Sequence, residues 1–360
     1  MRKYSLRIKH CGIALIGTAA LSTGLVACSD ADSSSNTDAQ AASSETTKEI
    51  ESTDASDTES ESAYPRTVET VDGQGNPVEI TLEQEPQRIV SASTTLTGAL
   101  LALDAPVAGT AGGSKTSLPF NTDEGFAVQW ADAAREQGLE ETLYEREPDV
   151  EKILGANPDL VVMSSNGGDA ATQYYDQIAD LVPVIVIDYS QASWEDLIIQ
   201  LGDALGLEEE ADEAIQTYED RVSQVSDAIN LPEQPVDIVT GTPDSLMIFN
   251  KHSAQGKLFS DIGFELAEIP NNAAPAANEA RGDSTAIEPE NIPVAITGES
   301  VFAFSMNSNF ITDEQLKSNP ELTDHSFIKN DNLYALPDSA FRIDYFSAME
   351  LLDWTEETFA

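Results

Sequence analysis

Cysteine is nearly absent: the 360 residues hold two, Cys11 and Cys28. Any domain after residue 28 therefore has no thiol, which excludes a disulfide framework, a thiolate metal site and a cysteine nucleophile there. Histidine is almost as scarce, and only His252 and His325 lie beyond residue 10. Capture of zinc or manganese draws on three or four His, Asp or Glu ligands, usually several His, so a metal-ion carrier is disfavoured. Positive charge is the third deficit, with 18 Lys and Arg against 64 Asp and Glu and a formal net charge of −46. Nucleic acid and anionic lipid headgroups are excluded as partners, because their phosphates would be repelled. The acid excess itself reads as a solvated surface that keeps the protein soluble. Enzyme signatures are missing too: there is no Gly-x-Ser-x-Gly elbow, no P-loop and no His-Glu-x-x-His. An esterase would need a nucleophile with a His base, and neither remaining His stands in such a setting. The chain is expected not to be an enzyme.

Long apolar runs are absent with one exception. Arg2, Lys3, Arg7 and Lys9 precede a small, apolar stretch from Cys11 to Ala27, which ends in Leu25-Val26-Ala27-Cys28. This is a signal-peptide layout closed by a lipoprotein processing box, so residues 1–27 are expected to be removed and Cys28 to carry lipid. Loss of that segment removes four basic residues and no acid, taking the net charge to −50. Residues 28–63 are rich in Ser, Thr, Ala, Asp and Glu, with Ile50 the one large aliphatic side chain beyond the anchor. Such a segment buries too little apolar surface to offset its ordering entropy and reads as a tether, whose length suggests a Gram-positive cell wall.

Structure is expected from residue 64. Thr67–Val71 and Pro77–Leu82 flank Asp72-Gly73-Gln74-Gly75-Asn76, a hairpin signal; no helix follows these glycines, which excludes a dinucleotide loop. From Arg88 short apolar strands alternate with helical patterns, including helices over Gly125–Gln137 and Asp149–Ala156, and give an α/β lobe over residues 64–192. Trp194, Leu197, Ile198, Leu201 and Leu205 recur at helical spacing, and after Gly206 so do Ala211, Ala214, Ile215, Tyr218, Val222 and Val225. This helical tract, 193–232, is stopped by Pro232 and Pro235, and a second α/β lobe follows over 233–360, closed by a helix over Tyr345–Phe359. Two βα lobes joined by a long helix is the layout of the helix-hinged, class III periplasmic binding proteins.

The run Arg88-Ile-Val-Ser-Ala-Ser-Thr-Thr-Leu-Thr-Gly-Ala-Leu-Leu-Ala-Leu-Asp-Ala-Pro-Val107 resembles the ferric-enterobactin-binding proteins of the siderophore-importer family. So do Gln129-Trp130, Leu143-Tyr144 with Glu147-Pro148, Pro158-Asp159-Leu160, Ser253-Ala-Gln-Gly256 with Gly263-Phe264, and Phe341-Arg-Ile-Asp-Tyr-Phe-Ser-Ala-Met349. The likeness runs from Arg88 to Asp353 and is weakest in 112–123 and 271–281. It implies a monomeric, lipid-anchored, extracytoplasmic component of an ABC importer. Such a component takes a ferric siderophore in the cleft between lobes and hands it to permease subunits driven by an ATPase. The iron is held by the siderophore, so no cofactor is expected. Heme and cobalamin carriers share the fold and remain the alternative.

A ferric tris-catecholate carries a charge of roughly −3 on flat rings, and is matched by guanidinium groups and aromatic faces. Arg342, in a loop between a strand and the closing helix, is the strongest candidate, with a brace to Asp338 or Asp344 as the competing role. Tyr345 is three residues on. Trp130 is brought in by the resemblance, on a helical pattern with Phe126, Ala127 and Ala134. Phe249 ends a strand, Lys115 follows one, and Arg281 rests on weak alignment. Asp104 and Asp261 are weak candidates for permease docking.

Overall fold

Short strands buried on both faces, alternating with helices, build two five-stranded sheets in the computed structural model. Described residues are 64–115, 120–242, 245–273, 282–305 and 313–360. The expected anchor, tether and Arg281 lie outside them. Contacts divide the chain into Met1–Thr58 and Glu59–Ala360, and all the described residues lie in the second unit. It opens with an antiparallel hairpin, β1 (Arg66–Val71) and β2 (Pro77–Leu82). Its turn is closed by the Asp72 carboxylate, which accepts the Gln74 and Asn76 amides.

The first lobe carries β3 (Ile89–Ser91), β4 (Val107–Gly112), β5 (Tyr144–Glu145), β6 (Leu160–Ser164) and β7 (Val184–Ile187). They are all parallel and ordered β5-β4-β3-β6-β7. Leu160, Val161, Val162 and Met163 are fully buried, which is why β6 reads as an unbroken apolar run. Helices α1 (Thr94–Ala102), α2 (Ala131–Glu136), α3 (Val150–Gly155) and α4 (Tyr175–Ala179) connect the strands. The chain leaves β3 toward β4 on one side and returns to β6 on the other. The crevice beyond its carboxyl end is therefore a topological switch point, where such sheets bind ligands.

Helices α5 (Trp194–Leu205) and α6 (Glu208–Ala228) follow, separated by Gly206 in the left-handed conformation at φ 68°. The 21 residues of α6 reach about 32 Å. Arg221 on α6 is paired with Asp353 and Glu356 at 2.7 and 2.6 Å. Those acids lie on the last helix, α11 (Tyr345–Phe359).

The second lobe carries β8 (Val236–Thr242), β9 (Ser245–Phe249), β10 (Ser284–Ile287), β11 (Ser300–Ala303) and β12 (Leu333–Ala335). Their order is β10-β9-β8-β11-β12, antiparallel on the β9 and β10 side and parallel on the other. Helices α7 (Ala254–Ile262), α8 (Ile292–Ala295), α9 (Asp313–Ser318), α10 (Ser326–Lys329) and α11 (Tyr345–Phe359) complete it. One apolar cluster joins α1, α5, α6, α7 and α11 and gives the lobes a shared base.

The helix expected over Gly125–Gln137 is confined to Ala131–Glu136. Gly125 takes φ +91°, and the chain folds back so that Val128 and Thr122 bond Phe120 and Phe126 across a turn. That pairing uses the amides a helix would need.

Candidate binding cleft

The site begins with buried hydroxyls. Thr97 on α1 lies 2.6 Å from Thr110 on β4 and donates to the Ser93 carbonyl at 2.8 Å. Ser93 caps α1 and donates to Asp169 at 2.6 Å. Asp169 also accepts the Thr95 amide at 2.9 Å and the Tyr189 hydroxyl at 2.5 Å. Burial alone would raise the Asp169 carboxyl, but these donors win and hold it below the usual carboxylate range. Tyr189 is pushed up to about 12 by its burial and by that carboxylate. The loop between β3 and α1 is thereby locked against the loop after β6.

Above it lies a cavity of about 370 Å³ at the carboxyl ends of the first lobe's strands, roofed by residues 338–342 of the second. Its charged lining is Arg146, Arg342, Asp169 and Asp338. Asp169 is satisfied as above, and burial raises the Asp338 carboxyl.

The two arginines are set apart from the other described arginines. Arg66, Arg135 and Arg221 are each held by carboxylates, as are Lys115, Lys257, Lys317 and Lys329. Arg88 donates to the carbonyls of Ala156 and Asn157. Neither Arg146 nor Arg342 has a side-chain hydrogen bond or a salt bridge among the described residues, and both are exposed. The braces from Arg342 to Asp338 or Asp344 are not formed. Arg146 follows β5 with φ +59°, a left-handed conformation costly for a side-chain-bearing residue and concentrated at functional sites.

Aromatic faces come from Phe120 and Phe341, one from each lobe, with ring centroids 6.3 Å apart. Both line the cavity. Asp344 crosses between lobes as well. It caps α11, and its carboxylate meets Gln129 at 3.4 Å. Gly98 on α1 admits it, since a Cβ there would stand 2.6 Å from its oxygen.

Among the residues proposed from sequence, Arg342 lines the cavity. Tyr345 lines an adjoining pocket, its ring 6.1 Å from that of Trp194. Two expectations are corrected by burial. Trp130 is 1% exposed and packs on Phe126, so its ring is core rather than cleft surface. Phe249 is buried too, at 9% exposed, and packs on Phe304. Lys115 is drawn out of the cavity to Glu141 at 2.8 Å, in a separate pocket. Asp104 lies just beyond α1 at φ +53°, and Asp261 on α7 is paired with Lys257 at 2.7 Å. Arg146, Phe120 and Asp169 were not anticipated. The signal for Arg146 was the shortage of arginine itself, since any Arg in a loop after a strand had reason to be considered.

The model of the family described as "Periplasmic binding protein" matches residues 89–340. The ferric enterobactin-binding periplasmic protein FepB of Escherichia coli is 36% identical over 277 residues, which are 76% of this chain and 86% of that protein. The crystal structure of holo-ViuP superposes with a TM-score of 0.66 at 30% identity, covering 82% of this chain and 96% of that one. Staphylococcus aureus SirA complexed with staphyloferrin B shares the fold, with a TM-score of 0.59 at 18% identity over 81% and 99% of the chains.

Proposed function

Because the chain belongs to the periplasmic binding protein family, whose members are non-enzymatic extracytoplasmic transport components, we propose that it captures a ferric catecholate siderophore for an ABC importer. The observation that carries this reading is the pair Arg146 and Arg342. In a chain with 64 acids, two guanidinium groups without carboxylate partners face one cavity. Each is available to donate to catecholate oxygens without first surrendering an ion pair. Phe120 and Phe341 supply faces for the rings. The similarity to FepB, a ferric enterobactin-binding protein, points to the same class of cargo. The remaining elements of the proposal are a lipid anchor at Cys28, a Gram-positive tether over 28–63, and delivery to permease subunits that dock on lobe-edge acids such as Asp104 and Asp261.

The test is a titration of the purified chain, followed by tryptophan fluorescence, with ferric enterobactin, a ferric hydroxamate, hemin and cobalamin. Saturation by the catecholate alone at submicromolar concentration is expected. Saturation by hemin or cobalamin alone would overturn the reading.

A further inference from the structure

The cleft does not end at Arg342. A neck of about 130 Å³ shares Arg342 with the front cavity, and it shares Ser193, Trp194 and Ala254 with a rear crevice of about 830 Å³. The rear crevice has the opposite polarity from the front. Glu195, at the start of α5, places one carboxylate oxygen 3.2 Å from Lys257 of α7. Its other oxygen is buried and has no hydrogen-bond partner. Lys257 is itself drawn to Asp261 at 2.7 Å, and so does not neutralise Glu195 alone. Beside it stands Tyr218, 4% exposed, which lines the crevice and whose hydroxyl has no hydrogen-bond partner among the described residues. Burial, with the Asp261 and Glu195 carboxylates nearby, raises the Tyr218 phenol and keeps it neutral. Asp196 also borders the crevice but is spent on capping Ser193 at 2.9 Å. A buried polar group is rarely left unpaired, and the free Glu195 oxygen adjoins a space of ligand size onto which the Tyr218 hydroxyl also opens.

A carboxylate oxygen and a phenol oxygen that both lack a donor fit one chemistry: an ammonium, with several N–H groups and a positive charge. We infer that the rear crevice is a second compartment of the cargo site, in which Glu195 and Tyr218 hold a protonated amine on the backbone of the siderophore. This rests on the front cavity being the chelate site, and it names the cargo further: an anionic iron chelate at one end and a cationic amine toward the other. The unpaired arginines and the unpaired acceptors then serve opposite ends of one molecule lying along the cleft. A Glu195–Lys257 contact that merely braces the lobes would leave the buried second oxygen unexplained.

The test uses two ferric tris-catecholates that differ only in the substitution of one nitrogen, a linear backbone with a free secondary amine and the same backbone with that amine acetylated. Affinities are measured for the wild-type chain, Glu195→Gln and Tyr218→Phe. The wild type is expected to prefer the free amine by about tenfold, as for a charge-assisted contact. Both variants should lose most of that preference while binding the acetylated complex as the wild type does, which also shows that they fold. Equal binding of the two complexes by the wild type overturns the inference and leaves the front site standing. A preference that survives in Glu195→Gln overturns it as well, since attraction to the acidic surface would then be the cause. Equal weakening of both complexes by the variants would mark Glu195 as a brace and refute the proposal. Failure of both complexes to bind the wild type overturns the chelate site and this inference together.

Discussion

Truncating Arg342 to Ala removes one of two cations that face the cavity without a carboxylate partner. A hydrogen bond to a charged group contributes about 1.5–3 kcal/mol, which corresponds to about 13- to 160-fold in Kd. The upper part of that range is expected, for a reason visible in the structure. Arg221 is tied to Asp353 and Glu356, and a guanidinium so held would have to give up those contacts before binding anything. Arg342 gives up none. Arg146→Ala should cost a similar amount, and the double variant less than the sum, because both act on the same chelate. The assay is fluorescence titration with ferric enterobactin, with urea unfolding as the control for folding. Arg342 is exposed, so stability should move by less than about 0.5 kcal/mol. The reverse is expected of Arg221→Ala, which should lower stability and leave affinity unchanged. A folded Arg342→Ala variant within twofold of wild-type affinity would refute the reasoning.

Two further predictions concern stability. Asp237, at the start of β8, is buried and pushed up to about 6 by desolvation, against which the Gly298 and Thr297 amides work only in part. The unfolded chain releases this proton near 3.8 and the folded chain near 6. Between those values the folded state binds more protons, so stability falls as pH rises, by about 3 kcal/mol in all, and is level above. In urea unfolding from pH 4 to 7, Asp237→Asn should abolish this slope, and parallel curves for the two proteins would contradict it. Gly98→Ala would place a Cβ 2.6 Å from the Asp344 carboxylate and 3.2 Å from Trp130. Relieving that overlap costs about 1–3 kcal/mol and strains the α11 cap, which outweighs the helix-propensity gain of about 1 kcal/mol. The variant should melt earlier, and a stabilised variant would refute the packing.

Much of the fold was legible because local signals agreed. Asp344 caps α11, so that helix was read to its ends. The tract over Phe126, Ala127, Trp130 and Ala134 misled because its spacing reports burial. A turn closed by Gly125 buries those residues as well as a helix would. In the site, Arg342 was found through its place between a strand and the closing helix. Lys115 was offered on the same logic, but its partner Glu141 is 26 residues away in sequence and adjacent only in space. Arg146 sits between Glu145 and Glu147 and looks neutralised in one dimension. Its left-handed backbone, and the absence of any ion pair to those neighbours, exist only in the fold. Large aromatics such as Trp130 and Phe249 carry no mark in sequence that separates a core ring from a cleft ring.

The most direct measurement is paramagnetic broadening of the arginine side-chain Nε–H signals by the ferric complex, with its diamagnetic gallium counterpart as the reference. The resonances of Arg146 and Arg342 should vanish on binding iron and persist with gallium, while that of Arg221, held by Asp353 and Glu356 and outside the cavity lining, stays sharper. Sharp Arg146 and Arg342 signals in a saturated ferric complex would contradict the account.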